Sequence, residues 1–204
     1  MRLLAATIVC LAPVSVALAA TPYAVDAGRS QLGFVAIQSG GDFEGRFSKF
    51  TAKIAFADAD LPGSCFDVDV DMGSVDTGDD DRDEALRGPD LFDVAKFPKG
   101  HFITTGVTRK AAGQYEAKGK LTIRDVTRDI VVPFTFATSS EGGKSVAALK
   151  GGVTLDRLDY GVGQGDWKDT TWVAKEVRVK FDLRLTPRPT PPADKPVKSK
   201  ATSG

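Results

Sequence analysis

Between Phe66 and Met72 the chain reads Phe-Asp-Val-Asp-Val-Asp-Met. Apolar residues at 66, 68, 70 and 72 alternate with carboxylates at 67, 69 and 71. Successive side chains of an extended strand point to opposite faces, so this run predicts a sheet with one dry face and one wet face. The same period-two pattern recurs through most of the sequence. Leu32, Phe34 and Ala36 oppose Val35 and Ile37. Phe43, Gly45 and Phe47 share a face, and the apolar set then continues at Phe50, Ala52, Ile54 and Phe56 on the other parity. A parity change within one strand predicts a bulge near Ser48-Lys49. Further strands are predicted at 102–108, at 115–123, through Ile130, Val132, Phe134 and Phe136, from Ala147 to Leu155, and from Val173 to Leu185. Pro133, on the face opposite Phe134, predicts an edge or a bulge.

Turn residues separate nearly all of these runs: Ser39-Gly40-Gly41, Asp60-Leu61-Pro62-Gly63, Ala111-Ala112-Gly113, Arg124-Asp125 and 139–144. About eight short strands at regular spacing leave a barrel or a sandwich. No Cys…Trp…Cys pattern supports an immunoglobulin-like sandwich. The bulge, the sequential hairpins and the Phe-rich faces point to an all-β, eight-stranded antiparallel up-and-down barrel. The chain has twelve Phe against three Tyr and two Trp, and Phe, lacking a polar handle, suits a dry interior. A barrel of about eight strands can hold one small or slender ligand or be filled by its own side chains, and the pattern leaves both open.

One segment breaks the β-pattern. Residues 74–98 begin as a turn, carry six acids between Asp76 and Glu84, and offer one short helical piece ended at Gly88-Pro89. Leu91, Phe92, Val94 and Phe97 follow, so the segment reads as a helical lid that turns these four side chains inward over one end of the barrel. A second irregular stretch runs from Asp156 to Thr171 and holds Tyr160 and Trp167.

The ends of the chain differ from its middle. Residues 1–20 are apolar after Arg2 and close on Ala17-Leu18-Ala19, which reads as a cleaved secretory signal and predicts a periplasmic or secreted protein. Residues 21–186 form the barrel domain. Residues 187–204 are rich in Pro and Lys and are expected to be disordered. Outside the leader only Cys65 remains, too few for an internal disulfide, and it is expected as a half-buried small residue. Acids and bases number 27 each over the full sequence, which is not the balance of a nucleic-acid binder.

Catalytic constellations are missing. The lone histidine, His101, has no partner for a general-base triad and is expected to be incidental. Asp79, Asp81 and Asp83 have the odd spacing of a calcium loop, but Glu84 stands where that loop needs glycine. An acidic turn capping a helix fits them better. Gly161, Gly163 and Gly165 precede no phosphate-cradling helix. The residues therefore predict a protein that is not an enzyme.

These stretches resemble a known family. Ser30-Gln31-Leu32-Gly33-Phe34, Gly45-Arg46-Phe47 with Phe50, and Ser74-Val75-Asp76-Thr77-Gly78 carry the first half of the likeness. Leu91-Phe92-Asp93-Val94-Ala95-Lys96-Phe97-Pro98, the run from Gly119 to Arg128, and Asp159-Tyr160-Gly161 with Trp167 carry the second. Over 23–185 the chain resembles the YceI-like family of polyisoprenoid-binding periplasmic proteins. The resemblance implies a lipocalin-like barrel that carries a long isoprenoid chain, such as a polyprenyl phosphate or a ubiquinone. It also implies, as an alternative role, an accessory to a cytochrome b561-type membrane redox partner, and a homodimer is compatible with it. On this reading Phe34, Ala36, Phe47, Val70, Met72, Phe102, Leu121, Ile123, Phe134 and Phe136 are expected to line the tunnel. Phe92, Arg157, Tyr160 and Trp167 are expected at its mouths.

Overall fold

The computed structural model describes residues 19–189; most of the expected signal segment and most of the expected tail lie outside the described residues. Eleven strand segments follow in order: β1 (Thr21–Val25), β2 (Gln31–Gln38), β3 (Gly41–Phe47), β4 (Phe50–Phe56), β5 (Cys65–Asp71), β6 (Val75–Asp76), β7 (Lys99–Ala111), β8 (Gln114–Ile123), β9 (Val126–Glu141), β10 (Lys144–Asp156) and β11 (Glu176–Pro187). The first six join in pairs to make three bent strands, so the architecture is an eight-stranded closed antiparallel barrel. Closure comes from β11, which pairs with β1 at Val25↔Leu185 and with β2 at Val35↔Arg178.

Short turns make most of this connectivity. Ser39-Gly40 and Gly142-Gly143 each place two successive residues at positive φ. That is the mirror-image turn whose twist matches the strands it joins.

The bend falls on three neighbouring strands at one level: at Asp26–Ser30, at Ser48-Lys49 and at Met72–Ser74. The expected bulge at Ser48-Lys49 is thus a break between two strands with different neighbours. β3 pairs with β2 and β6, whereas β4 pairs with β1 and β5. Ser74 pins the corner: its Oγ accepts from Lys49 N at 3.0 Å, and its carbonyl accepts from Ser48 N at 3.1 Å. Pro133 sits where the β9–β10 ladder ends. That pairing runs from Lys144↔Glu141 only to Gly151↔Phe134, so residues 126–133 face β10 with no ladder. A missing N–H costs nothing there.

The one α-helix among the described residues, α1 (Asp80–Arg87), sits in the break of the β-pattern. Asp79 caps it, its side chain accepting from Arg82 N at 3.0 Å, and Gly88 ends it. Asp83, buried, accepts from Thr77 N and Thr77 Oγ1 at 2.9 and 2.7 Å. These acids build a turn and a helix start. Cys65 corrects an expectation: it is exposed, because it shares the outward parity of Asp67, Asp69 and Asp71. His101 has a partner, with Nε2 2.9 Å from Asp67 Oδ1 on the adjacent strand.

Candidate binding site

Inside the barrel lies an apolar cavity of about 520 Å³. Its walls are the inward parity of almost every strand: Phe34 and Ala36 from β2, Phe47 from β3, Val70 from β5, Phe102 from β7, Leu121 and Ile123 from β8, and Phe134 from β9. Met72 lines it from the 3-10 turn after β5, and Phe92, Arg157, Tyr160 and Trp167 line it from the irregular segments. Phe136 does not. Two residues beyond Phe134 on the same face, it lies past the cavity floor, 4.3 Å from the Phe56 ring and 5.5 Å from Tyr23. Parity placed both side chains inside; height along the barrel separates them. The sequence reading left out other wall residues of the same parity, among them Leu32, Phe66, Val68, Val132, Leu149, Val153 and Phe181. Val68, flanked by Phe66 and Val70, was within reach of the alternation rule.

One end of the cavity is plugged. Phe56, 2% exposed, is ringed by Phe66, Tyr115, Phe134 and Phe136 at centroid distances of 6.3, 5.0, 5.9 and 4.3 Å. Edge-on and tilted ring pairs at these distances are attractive beyond their buried area. Tyr115 keeps its hydroxyl satisfied, donating to Asp58 Oδ1 at 2.6 Å. Burial first, then this acceptor, pushes the Tyr115 phenol above its ordinary value.

The other end is covered. Leu86 of α1 and Leu91 are buried, and Phe92 and Tyr160 close over the cavity. Val94 and Phe97, expected to turn inward, do not line it; the Arg124 guanidinium lies 5.3 Å from the Phe97 ring instead. The cover is tied down by backbone carbonyls. Arg87 donates to Gly73 O and Val75 O at 3.0 and 2.7 Å. Arg124 donates to Pro89 O at 3.0 Å and to Leu91 O, and Gly163 N and Gln164 N donate to Asp90 O at 2.9 and 2.7 Å. Where β9 and β10 diverge, Arg128 joins the Tyr160 segment by donating to Asp159 O.

Polar groups on the cavity wall gather at this covered end. Arg82 Nε donates to Gln38 Oε1 at 3.2 Å while its guanidinium lies 4.6 Å from the Phe43 ring. Asp79 and Asp81 complete this rim. No sequence signal separated Arg82 from the acidic run around it. Arg157, expected at a mouth, is a buried clamp, 6% exposed. It donates to Val162 O, Val173 O and Ala174 O at 2.9, 2.8 and 3.1 Å. Burial pulls its pKa below the ordinary arginine value, against the opposing pull of Asp156. Gly163, at φ +121°, leaves room for it: a Cβ there would overlap Arg157 Nη1.

The cavity offers shape and hydrocarbon. Among the described residues no three His, Cys, Asp or Glu side chains are grouped to hold a metal ion.

The comparisons with known proteins agree with this architecture. The model of the YceI-like domain matches residues 23–185. A UPF0312 protein of Vibrio cholerae is 32% identical over 121 residues, covering 58% of this chain and 64% of that protein. The crystal structure of Burkholderia cenocepacia BcnA superposes with a TM-score of 0.74 at 31% identity, over 79% of this chain and 99% of that one. A polyisoprenoid-binding domain from Saccharophagus degradans superposes with a TM-score of 0.63 at 18% identity, over 81% and 98%, a likeness of fold alone. With its model matched along nearly the whole barrel, the chain belongs to the YceI-like family.

Proposed function

We propose that this protein is a non-catalytic carrier that holds the hydrocarbon chain of an isoprenoid lipid inside the barrel. The observation that carries this reading is the 520 Å³ cavity, walled by Phe, Leu, Ile and Val from nearly every strand and polar only at its covered end. An engineered apolar cavity of ~150 Å³ admits one benzene, so this space accommodates on the order of twenty carbons, about four isoprene units. Each buried CH₂ is worth ~0.8 kcal/mol, so such a chain can bind with few polar contacts. The printed description of the Saccharophagus domain as polyisoprenoid-binding supports the same reading. The apolar leader supports a place of action in the periplasm.

Native mass spectrometry of protein purified from the periplasm, followed by lipid extraction, tests this. One isoprenoid per chain is expected. Repeated recovery of empty protein that takes up no isoprenoid from vesicles sinks it.

A further inference from the structure

The barrel wall has a gap. Strand pairing between its first two bent strands holds at Tyr23↔Ile54, below the corner, and again at Gly33↔Arg46, above it. Between these pairs residues 24–32 face residues 47–53 with no ladder. On one flank the chain is held to β11, by the pairs Val25↔Leu185 and Leu32↔Phe181 and by Asp26 N to Arg184 O and Arg184 N to Ser30 Oγ, and Arg29 reaches Glu141 at 3.1 Å. On the other, Phe50–Lys53 pair only with β5. Outside the gap is a hollow of about 1160 Å³. The hollow and the inner cavity share six side chains: Leu32, Phe34, Phe47, Phe50, Val70 and Phe181. Apolar side chains alone, with no backbone hydrogen bonds, therefore divide the interior from the outside here.

The other ways in are shut differently. The plug end is closed by packed rings. The covered end is stitched by the carbonyl contacts of Arg87, Arg124, Gly163 and Gln164, and the β9–β10 notch is filled by Tyr160 and tied by Arg128. Among the described residues no segment crosses the outside of the gap.

We infer that the hydrocarbon chain enters and leaves through this side gap, with Leu32, Phe47 and Phe50 as its gate, while the helical cover stays in place. Rotamer changes open the gate, whereas lifting the cover breaks several hydrogen bonds to backbone carbonyls at once. This rests on the carrier reading. The hollow's rim is polar, with Lys49, Lys99, Asp69 and Thr51 among its residues, so the polar end of an amphiphile stays hydrated as its chain slides past.

The test is transfer of all-trans-retinol, a fluorescent C20 isoprenoid, between the full chain and phosphatidylcholine vesicles. In a Cys10→Ser, Cys65→Ser background, Thr51→Cys, exposed on the outer side of the gap, and Asp80→Cys, exposed on the cover, each carry a bulky polyethylene-glycol maleimide. The label at 51 is expected to slow transfer about tenfold, the label at 80 to change it less than about twofold, with the amount bound at equilibrium unchanged in both. Slowing by the label at 80 alone, equal slowing by both, or no slowing by either overturns the side port. Retinol that fails to bind even the unlabelled protein overturns the carrier reading itself, a result the labels cannot imitate.

Discussion

At the plug end of the barrel, Tyr23, Phe56, Phe66, Tyr115, Phe134 and Phe136 fill the lumen with rings that touch one another. At the covered end Phe34, Phe47 and Phe92 also meet, at 5.7 and 6.1 Å between centroids, yet they line open space. The residue type is the same and the task differs. Five strands, β1, β4, β5, β8 and β9, bring rings together from several sides at the plug, so each removes the others from water. At the covered end a short helix and two irregular segments supply the roof, and a roof cannot also fill the room. The difference teaches that packing is concentrated at one end and open space for a ligand at the other.

Four substitutions or conditions probe that division, from the largest effect down. Phe56→Ala empties the middle of the plug and is expected to cost about 3–5 kcal/mol in urea unfolding, with ligand release unchanged in what remains folded. A loss below about 1 kcal/mol would mean the plug is loosely packed. Arg157→Met strands three carbonyls, one buried and two half-buried, and is expected to cost about 2–4 kcal/mol, with the Lys variant rescuing little because an ammonium lacks the fork that reaches all three. Unfolding measured with and without retinol checks it: a full loss of binding at unchanged stability would make Arg157 a ligand contact and not a clamp. Phe92→Ala, half-buried in the roof, is expected to cost only about 1–2 kcal/mol and to raise retinol loss several-fold. Equal effects of Phe56→Ala and Phe92→Ala on both readouts would erase the distinction between the ends.

The smallest effect is acid sensitivity. A hydrogen bond from His101, then one from Lys53, holds the Asp67 carboxyl below its ordinary value, and Arg46 does the same for Asp76 at 2.6 and 2.9 Å. A depressed folded pKa stabilises above the unfolded value of ~3.9 and is lost as pH falls through the folded one. The thermal midpoint is therefore expected to fall slightly below about pH 4. Asp76→Asn should flatten the Asp76 share of that slope; an unchanged slope would assign it elsewhere.

Much of the fold was legible because a strand writes its two faces into alternate residues. Phe66, Val68 and Val70 against Asp67, Asp69 and Asp71 needed no tertiary information to be assigned inside and outside. The parity switch between Phe47 and Phe50 likewise announced an irregularity at Ser48-Lys49. Its nature was not legible: a bulge within a strand and a corner between two strands give the same string. The same rule misjudged nothing about Phe136 except its height. The clamping role of Arg157 was not legible because its partners, Val162, Val173 and Ala174, offer backbone carbonyls, which any residue carries and no sequence pattern displays.

The sequence by itself determined the β-class, the break that holds α1, the Gly88 stop, and which parity of each strand is dry. Those are local consequences of side-chain direction, capping and backbone freedom. Tertiary structure alone decided that the dry faces enclose open space at one end and rings at the other. It alone decided that Val94 and Phe97 stay outside the cavity, and that Leu32 and Phe50 flank a gap in the wall. Those outcomes depend on strand tilt, register and closure, which join residues more than twenty positions apart and so leave no mark in any short stretch of chain.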